Sequence, residues 1–392
     1  MKRKLILRWL ALALCIACVG PALAEEDVEV SIGEFLSTAE TALTEQGNAD
    51  GGLPGGVVRD KTEPVFEWDG SIVVTLSFVG DMTIGGNMQA KGKSIFEREL
   101  EKQKGDIHFP FRNVREIFLA DDLTVVNFEG TLTTAGRNPG KMNNDFLFRA
   151  PPEYVEMLAP GGVDAVALEN NHVLDMGEEG LSETKQTLTR AGVAYASEDE
   201  PVILVTRGVT IGLLAYQTFG GRHDELVTKV PLDIAALRAG GCEIVVVNYH
   251  WGSELDYKPN ENQVRLGRAT IDGGADLVIG HHSHRINPIE LYNGKYICYS
   301  LGNFSFAGNN KPNDMSTFLF QIKMRVKDGV ASNEAIKLIP ARISSRSDYN
   351  DFAPTPYDKP QSVESVISVL KKNGAGLEYA LADYPTKWPG EE

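Results

Sequence analysis

Short apolar runs rich in Val, Ile and Leu alternate with helical stretches from Ser71 to about Val326, and this alternation most constrains the fold. Nine runs have the length of a strand, and helical stretches with Gly or Pro at their ends separate several of them. The predicted strands are Ile72–Val79, Leu123–Asn127, Ala165–Leu168, Val202–Val205, Ile211–Ala215, Ile244–Asn248, Leu277–Ile279, Tyr296–Ser300 and Thr317–Val326. Because such runs are buried on both faces, the pattern predicts an α/β layered domain.

Five of these predicted strands lead directly into residues that can bind a metal ion. The loops after them carry Asp81, Glu129, Asn171-His172, His250 and His281-His282-Ser283-His284. Loops at the carboxyl ends of strands in open α/β sheets meet in one crevice, so we expect these side chains to converge. Each residue alone has an ordinary explanation, such as a turn cap or a buried histidine. Three imidazoles in four residues after a buried strand rarely serve packing alone, and the joint pattern predicts a metal site.

The chemistry of this donor set indicates the kind of ion. Imidazole, carboxylate and amide oxygen without thiolate suit Mn²⁺, Fe or Zn²⁺ better than Ca²⁺, which prefers oxygen ligands alone. A shared carboxylate with three or more imidazoles can hold two ions about 3.5–4 Å apart. The predicted cofactors are therefore two divalent metal ions.

The amino-terminal residues predict export. A basic segment with Lys2, Arg3, Lys4 and Arg8 precedes an apolar run from Trp9 to Val19 and a small-residue cleavage site at Ala22-Leu23-Ala24. The run is shorter than the about 20 residues that cross a bilayer, which favours a cleaved signal peptide over a short retained anchor. The protein is expected outside the cell, at its surface or attached to its membrane.

The remaining chain divides into three predicted segments. Residues 25–67 are acidic and Gly-rich and predict a linker, whereas residues 68–326 carry the strand pattern and predict the domain. Residues 327–392 are polar and contain Pro, with one plausible helix at Ser362–Lys372, and predict a peripheral carboxyl-terminal extension.

Charge and cysteine content restrict the partners. The net charge of −16 becomes −20 once the four basic residues of the signal segment are removed. Such a surface repels nucleic acid, so nucleic acid is excluded as a partner, and an anionic substrate must be held by a local positive feature such as a metal ion. Cys242 and Cys298 lie in or beside apolar runs and are predicted to be buried free thiols.

The central region resembles the capsule-synthesis CapA (PgsA-type) family, associated with poly-γ-glutamate, within the calcineurin-like metallophosphoesterase superfamily. The resemblance covers about residues 72–325. It is carried by Phe78-Val79-Gly80-Asp81, Val126-Asn127-Phe128-Glu129-Gly130, Phe148-Arg149-Ala150-Pro151-Pro152-Glu153, Asn170-Asn171-His172, His250-Trp251-Gly252-Ser253-Glu254 and the stretch from Gly274 to Phe304. The resemblance implies a four-layer sandwich in which two mixed β-sheets are flanked by helices.

The resemblance also implies a set of metal ligands. Asp81 and His284 would hold the first metal, and Glu129 would bridge the two ions. Asn171, His250 and His282 would hold the second. Two positions depart from the superfamily pattern: Thr83 stands where a histidine is usual, and the bridging acid is a glutamate in place of an aspartate. Both departures weaken the expectation for the first metal.

Four further residues are candidates for catalysis or substrate binding. The resemblance implies that His172 protonates a leaving oxygen or stabilises developing charge. Asp175 would orient His172, or it would begin a helix. Arg149 is a candidate for binding an anionic group, with a surface salt bridge as the alternative. Asn303 is expected to line the pocket, with structural hydrogen bonding as the alternative.

Two functions from different classes follow from this pattern. In the first, an exported protein supports the synthesis, export or anchoring of an anionic capsule polymer, together with membrane-bound capsule-synthesis subunits. In the second, it is an extracellular metal-dependent hydrolase that acts on a phosphoester. A third alternative, a degenerate domain that binds no metal, conflicts with the retention of nearly all candidate ligands.

Overall fold

The computed structural model describes residues 63–89, 91–141 and 146–391. The predicted signal segment, residues 1–24, and residues 25–62 of the predicted linker lie outside this range. Within it, no helix combines the length and the hydropathy needed to cross a lipid bilayer.

The described residues contain seventeen β-strands. In chain order they are β1 (Ile72–Thr83), β2 (Gly86–Asn87), β3 (Leu123–Phe128), β4 (Thr131–Leu132), β5 (Phe148–Ala150), β6 (Ala165–Ala167), β7 (Ala194–Ala196), β8 (Val202–Thr206), β9 (Val209–Gln217), β10 (Ile244–His250), β11 (Leu277–His281), β12 (Ile289–Tyr292), β13 (Lys295–Cys298), β14 (Asn303–Phe306), β15 (Ser316–Lys327), β16 (Val330–Arg342) and β17 (Thr355–Pro356). All nine predicted strands are present among them.

Two large mixed sheets contain most of these strands. The first has the order β17-β16-β15-β1-β3-β6-β7, with β14 also paired to β1. Its β1, β3, β6 and β7 are parallel, and β15 is antiparallel to β1. The second sheet has the order β12-β13-β11-β10-β9-β8, with β9, β10, β11 and β13 parallel. A small third sheet, β2-β5-β4, lies beyond the end of β1.

The helices of the described domain pack against the two large sheets. They are α1 (Ile95–Lys102), α2 (Arg115–Ala120), α3 (Gly177–Arg190), α4 (His223–Ala239), α5 (Glu261–Asp272) and α6 (Pro360–Gly374), with 3₁₀ turns at Phe109–Phe111, Pro152–Met157 and Ala159–Gly161. Capping boxes begin two of them: Ser94 with Glu97 at α1, and Asn260 with Gln263 at α5.

The apolar core consists of three layers. Alternate residues of β1, such as Val74, Leu76 and Phe78, point between the two sheets and meet residues of the second sheet. The opposite face of the first sheet packs against α1, α2 and α3, and the opposite face of the second sheet packs against α4 and α5. The predicted four-layer α/β sandwich of two mixed sheets flanked by helices is therefore confirmed.

The structure differs from the sequence expectation in the carboxyl-terminal region. Residues 327–392 were expected to be peripheral, but β16 pairs with β15 over its whole length. Helix α6 also places Val366, Ile367 and Leu370 in the core between the sheets. Because these residues complete the sheet and the core, they belong to the domain.

Cys242 and Cys298 are free and buried, as predicted. Cys298 belongs to the core between the two sheets, whereas Cys242 lies in the layer between the second sheet and α4. The two thiols therefore lie on opposite faces of one sheet.

Candidate metal centre

The candidate site lies at the carboxyl ends of strands from both large sheets. Asp81 is near the end of β1, where its backbone pairs with Asn303 of β14 and Asn127 of β3. The Asp81 N–H donates to the Gly302 carbonyl oxygen at 2.9 Å. A Cβ atom on Gly80 would lie 1.9 Å from the same oxygen, so only glycine permits this approach of β1 and β14.

Asp81, Glu129 and His284 form the first cluster of donors. One atom of each lies within 4.8 Å of the others. His284 Nδ1 is 3.0 Å from Asp81 Oδ2, and His284 Nε2 is 3.8 Å from Glu129 Oε1. These three residues come from the ends of β1, β3 and β11, so both large sheets contribute.

The Glu129 carboxylate provides the test of whether a cation fits this cluster. It is completely buried, and neither of its oxygens has a hydrogen-bond partner among the described residues. The nearest imidazole nitrogens, His172 Nε2 at 3.6 Å and His284 Nε2 at 3.8 Å, are too distant for a hydrogen bond. Since a buried carboxylate is costly without compensation, these residues fit a divalent cation.

Thr83 is placed where it supports the bridging acid. Its hydroxyl donates to the main-chain carbonyl of Glu129, while the Glu129 N–H donates to the Met82 carbonyl at 2.8 Å. The residue that replaces the usual histidine thus holds the Glu129 loop against β1.

Asn171, His250 and His282 form the second cluster. His250 Nε2 is 2.8 Å from Asn171 Oδ1 and 3.1 Å from His282 Nδ1. Asn127 links the two clusters, because its Nδ2 donates to Asp81 Oδ1 at 2.9 Å and lies 3.4 Å from His250 Nδ1. The structure therefore brings all six predicted ligands together, in the two groups that the resemblance implies.

The turn after β11 directs successive imidazoles to different clusters. His282 and His284 have φ angles of 94° and 54°, in the left-handed region that non-glycine residues rarely adopt. With this backbone, His282 contacts His250 and His284 contacts Asp81. Such strain is typical of functional sites.

Burial and mutual charge shift the pKa values in both clusters. Burial raises the pKa of Glu129 well above its ordinary range, and the charge of Asp81 adds to this. Burial opposes ionisation of Asp81, but the neighbouring imidazoles outweigh it and hold its pKa well below the ordinary value. Burial also opposes the charge on His284, yet Glu129 and Asp81 raise its pKa to about 9.

The two imidazoles of the second cluster are neutral. Burial is the main cause that holds the pKa of His250 well below its ordinary value, and repulsion by a protonated His282 is the second cause. Burial and the charge of His284 lower the pKa of His282 to about 4. Both rings therefore offer unprotonated nitrogen, the form that binds metal ions.

His172 and Asp175 form a buried pair beside Glu129. His172 Nδ1 lies 2.7 Å from Asp175 Oδ2, which also accepts from the Phe148 N–H at 2.6 Å. This contact fixes the ring so that its Nε2 faces Glu129. The arrangement is suited to moving a proton at Nε2.

The two predicted substrate-binding residues lie in different places. Asn303 is 7% exposed, is paired in register with Asp81, and its Oδ1 has no hydrogen-bond partner among the described residues. Arg149 follows Phe148 on β5. The Phe148 ring contacts His172, with 4.5 Å between the ring centroids. Because successive strand residues face opposite ways, the Arg149 guanidinium points away from His172 and donates to the Ala135 carbonyl at 3.0 Å.

His281 is a site residue outside the predicted ligand set. It is 2% exposed, its Nδ1 is 3.5 Å from Asp81 Oδ1, and neither ring nitrogen has a hydrogen-bond partner among the described residues. The sequence places His281 in the cluster His281-His282-Ser283-His284 but indicates no role for it. Its place at the end of a buried strand is the sequence signal for a role at the site. In the structure it is the last residue of β11 and pairs with His250 of β10.

Residues 75–307 match the family model described as bacterial capsule synthesis protein PGA_cap. The chain is similar to PGA biosynthesis protein CapA of Bacillus subtilis (strain 168), with 29% identity over 75% of this chain and 77% of the relative. It is similar to capsule biosynthesis protein CapA of Bacillus anthracis, with 28% identity over 59% of this chain and 60% of the relative. Among solved structures, the calcineurin-like phosphoesterase YfkN from Bacillus subtilis matches with a TM-score of 0.42 and 14% identity, over 76% of this chain and 97% of that one.

Proposed function

The chain belongs to the bacterial capsule synthesis protein PGA_cap family, and on that premise we propose that it is an exported accessory protein that binds an anionic capsule polymer through protein-bound metal. The polymer is of the poly-γ-glutamate type. The metal ligands are Asp81, Glu129, Asn171, His250, His282 and His284. The protein acts at the cell surface or the membrane, where capsule-synthesis subunits work.

One observation carries this proposal: the Glu129 carboxylate is buried without a hydrogen-bond partner among the described residues, beside a second buried acid, Asp81. Two carboxylates at such a place repel each other unless a cation lies between them. The neutral rings of His250 and His282 complete a donor set that suits Mn²⁺, Fe or Zn²⁺.

The charge of the site explains why the metal is needed for polymer binding. Without metal, the site contains the acids Asp81, Glu129 and Asp175, within a chain of net charge −16. A polycarboxylate would be repelled by such a surface. Divalent ions reverse the local sign and leave coordination positions for carboxylate oxygens, which are good ligands for these metals.

The test combines metal content with polymer binding. We expect elemental analysis of the purified protein to find one or two equivalents of Mn, Fe or Zn, and fluorescence anisotropy to show binding of labelled poly-γ-glutamate that EDTA abolishes. Glu129→Gln should lose both. Glu254→Gln, which removes an exposed acid near the site, is the matched control and should retain both. Polymer binding that survives complete removal of metal would refute the proposal.

A second candidate function, hydrolysis of a phosphoester, is favoured by the His172–Asp175 pair. A bound divalent ion supplies charge stabilisation for a phosphoryl group. His172, oriented by Asp175, would hold the proton for the leaving oxygen at Nε2. The test is turnover of bis-p-nitrophenyl phosphate by the metal-loaded protein, with loss in His172→Ala. Absence of turnover would remove the hydrolase and leave the polymer-binding function intact.

A further inference from the structure

A loop at residues 137–141, between β4 and β5, contacts the turn that carries Asn171 and His172. Asn138 on this loop donates from its N–H to the Asp175 carbonyl at 2.9 Å, and from Nδ2 to the Leu174 carbonyl at 2.8 Å. The loop is thereby fixed across the end of this turn, which we call the 170–176 turn.

Lys141 on the same loop makes two contacts with the 170–176 turn. Its ammonium donates to the main-chain carbonyl of Asn171 at 2.7 Å and lies 3.0 Å from Asp175 Oδ1. The Lys141 side chain is 26% exposed and that of Asp175 is 0% exposed, so the ammonium reaches inward from the surface. A single cation thus connects a predicted metal ligand to the carboxylate that orients His172.

The Asp175 carboxylate depends on this cation for its position. Its Oδ2 accepts from His172 Nδ1 and from the Phe148 N–H, and neither of these groups contacts Oδ1, the oxygen that faces Lys141. Among the described residues, Lys141 is the only lysine or arginine within ion-pair distance of Asp175. Because removing one partner of a buried ion pair leaves the other without compensation, loss of the ammonium would displace the Asp175 carboxylate and free His172 from its orienting contact.

We propose that Lys141 is a positioning residue for the metal centre. Its ammonium fixes the Asn171 main chain, whose side-chain Oδ1 meets His250, and the Asp175 carboxylate, which orients His172. Partners of this kind, one step outside the metal ligands, set ligand orientation and metal affinity. This inference rests on the proposed function, since it concerns the same site.

The alternative is that Lys141 merely tethers its own loop. The two roles differ in what the loss of the ammonium changes. A tether affects the exchange of amides in the loop at 137–141, whereas a positioning residue also affects the 170–176 turn and the metal affinity.

The experiment compares Lys141→Met and Lys141→Arg with the wild-type chain. Hydrogen exchange of the 170–176 amides is measured in EDTA, and Mn²⁺ affinity is measured by calorimetry. For Lys141→Met we expect faster exchange in the 170–176 turn and about 10- to 100-fold weaker Mn²⁺ binding. Lys141→Arg should recover most of both, because a guanidinium can donate to the carbonyl and the carboxylate together.

Two controls keep the result specific. Lys185→Met removes a lysine of similar exposure, 19%, that pairs with Glu200 on another part of the surface, and should behave as wild type. In Lys141→Met/Asp175→Asn the effect on Mn²⁺ affinity should be no larger than that of the worse single variant, because both act on one contact. If Lys141→Met does not fold, Lys141→Gln keeps a donor for the Asn171 carbonyl without the charge and takes its place.

Wild-type exchange in the 170–176 turn together with wild-type Mn²⁺ affinity in Lys141→Met would overturn the inference. Faster exchange confined to residues 137–141 would overturn it equally, in favour of the tether. A wild-type protein that binds no Mn²⁺ would count against the proposed function, while the exchange of the 170–176 turn in EDTA would still decide the role of Lys141.

Discussion

The charges of Glu129 and His284 depend on each other. They lie 3.8 Å apart, and in the absence of metal the imidazolium of His284 compensates the buried acids around it. A metal ion would take over this compensation and displace the proton from His284. Metal binding and proton release are therefore coupled at this residue.

Metal affinity should consequently rise with pH. The pKa of His284 is about 9, so at lower pH the proton occupies the nitrogen that the metal needs. Below this pKa, metal binding releases one proton from His284, so the Mn²⁺ affinity should rise about tenfold for each unit by which the pH increases. Calorimetry between pH 6 and pH 9, in buffers of different ionisation enthalpy, measures both the affinity and the number of protons released. An affinity that does not change with pH would contradict the coupling.

Replacement of Glu129 by glutamine separates binding from folding. The raised pKa of Glu129 favours its neutral form without metal, and glutamine replaces this buried acid by a neutral group of the same shape. Thermal unfolding in EDTA should therefore occur at no lower temperature than in the wild type. Loss of a residue that only holds a metal ligand in place weakens metal binding by up to about 100-fold. Because Glu129 is itself a predicted ligand, its loss should weaken Mn²⁺ binding by more than this. Differential scanning fluorimetry with and without Mn²⁺ measures both. A large loss of stability in EDTA would show that Glu129 serves the fold.

At the residue scale, strand ends were the informative signal. The six predicted ligands converge because each lies at, or just after, the carboxyl end of a strand, and these ends meet at the same edge. Arg149 could not be placed in this way, because its direction depends on the small β2-β5-β4 sheet, whose strands are too short to recognise in the sequence. Lys141 has no signal of its own, since a lysine in a loop rich in Gly, Pro and Asn is ordinarily exposed.

Among the elements, β1 and β14 make the closest approach at the site. Gly80→Ala would place a methyl group where the Gly302 carbonyl lies, and the strands would have to separate. We expect the free energy of unfolding, measured in urea, to fall by more than about 3 kcal/mol, because the contact is with main-chain atoms that cannot rotate away. Metal affinity should fall as well, since Asp81 follows directly.

Gly376→Ala is the control for this substitution. Gly376 has open space at its Cβ position and no left-handed φ, so the alanine should be neutral. Equal stability of the Gly80→Ala and Gly376→Ala variants would contradict the importance of the β1–β14 approach.

The elements that sequence patterns missed have identifiable causes. Helix α4 contains Pro231, a residue that ordinarily interrupts a helix. The stretch from Pro152 to Gly161 folds as two 3₁₀ turns, with Pro160 in the second. β16 alternates between exposed and buried residues, and its place in the sheet is set by its partner β15.

For the whole molecule, α6 closes one end of the core between the sheets. Leu370→Ala should lower the free energy of unfolding by about 2–5 kcal/mol through the cavity it creates. Mn²⁺ affinity should remain unchanged, because Leu370 is fully buried in the core between the sheets and contributes no donor to the metal centre. Urea denaturation and calorimetry test the two parts. The control is Ser368→Ala on the exposed face of the same helix. An unchanged unfolding free energy would return α6 to the peripheral role that the sequence suggested.

The placement of Cys242 and Cys298 on opposite faces of one sheet has a practical use. Burial raises the pKa of both thiols, that of Cys242 to about 12, so neither reacts with a maleimide while its layer is closed. The Cys298 thiol becomes accessible when the two sheets part, and the Cys242 thiol when α4 lifts from its sheet. The rates at which the two thiols are labelled would therefore time the opening of two different interfaces in a single unmodified chain.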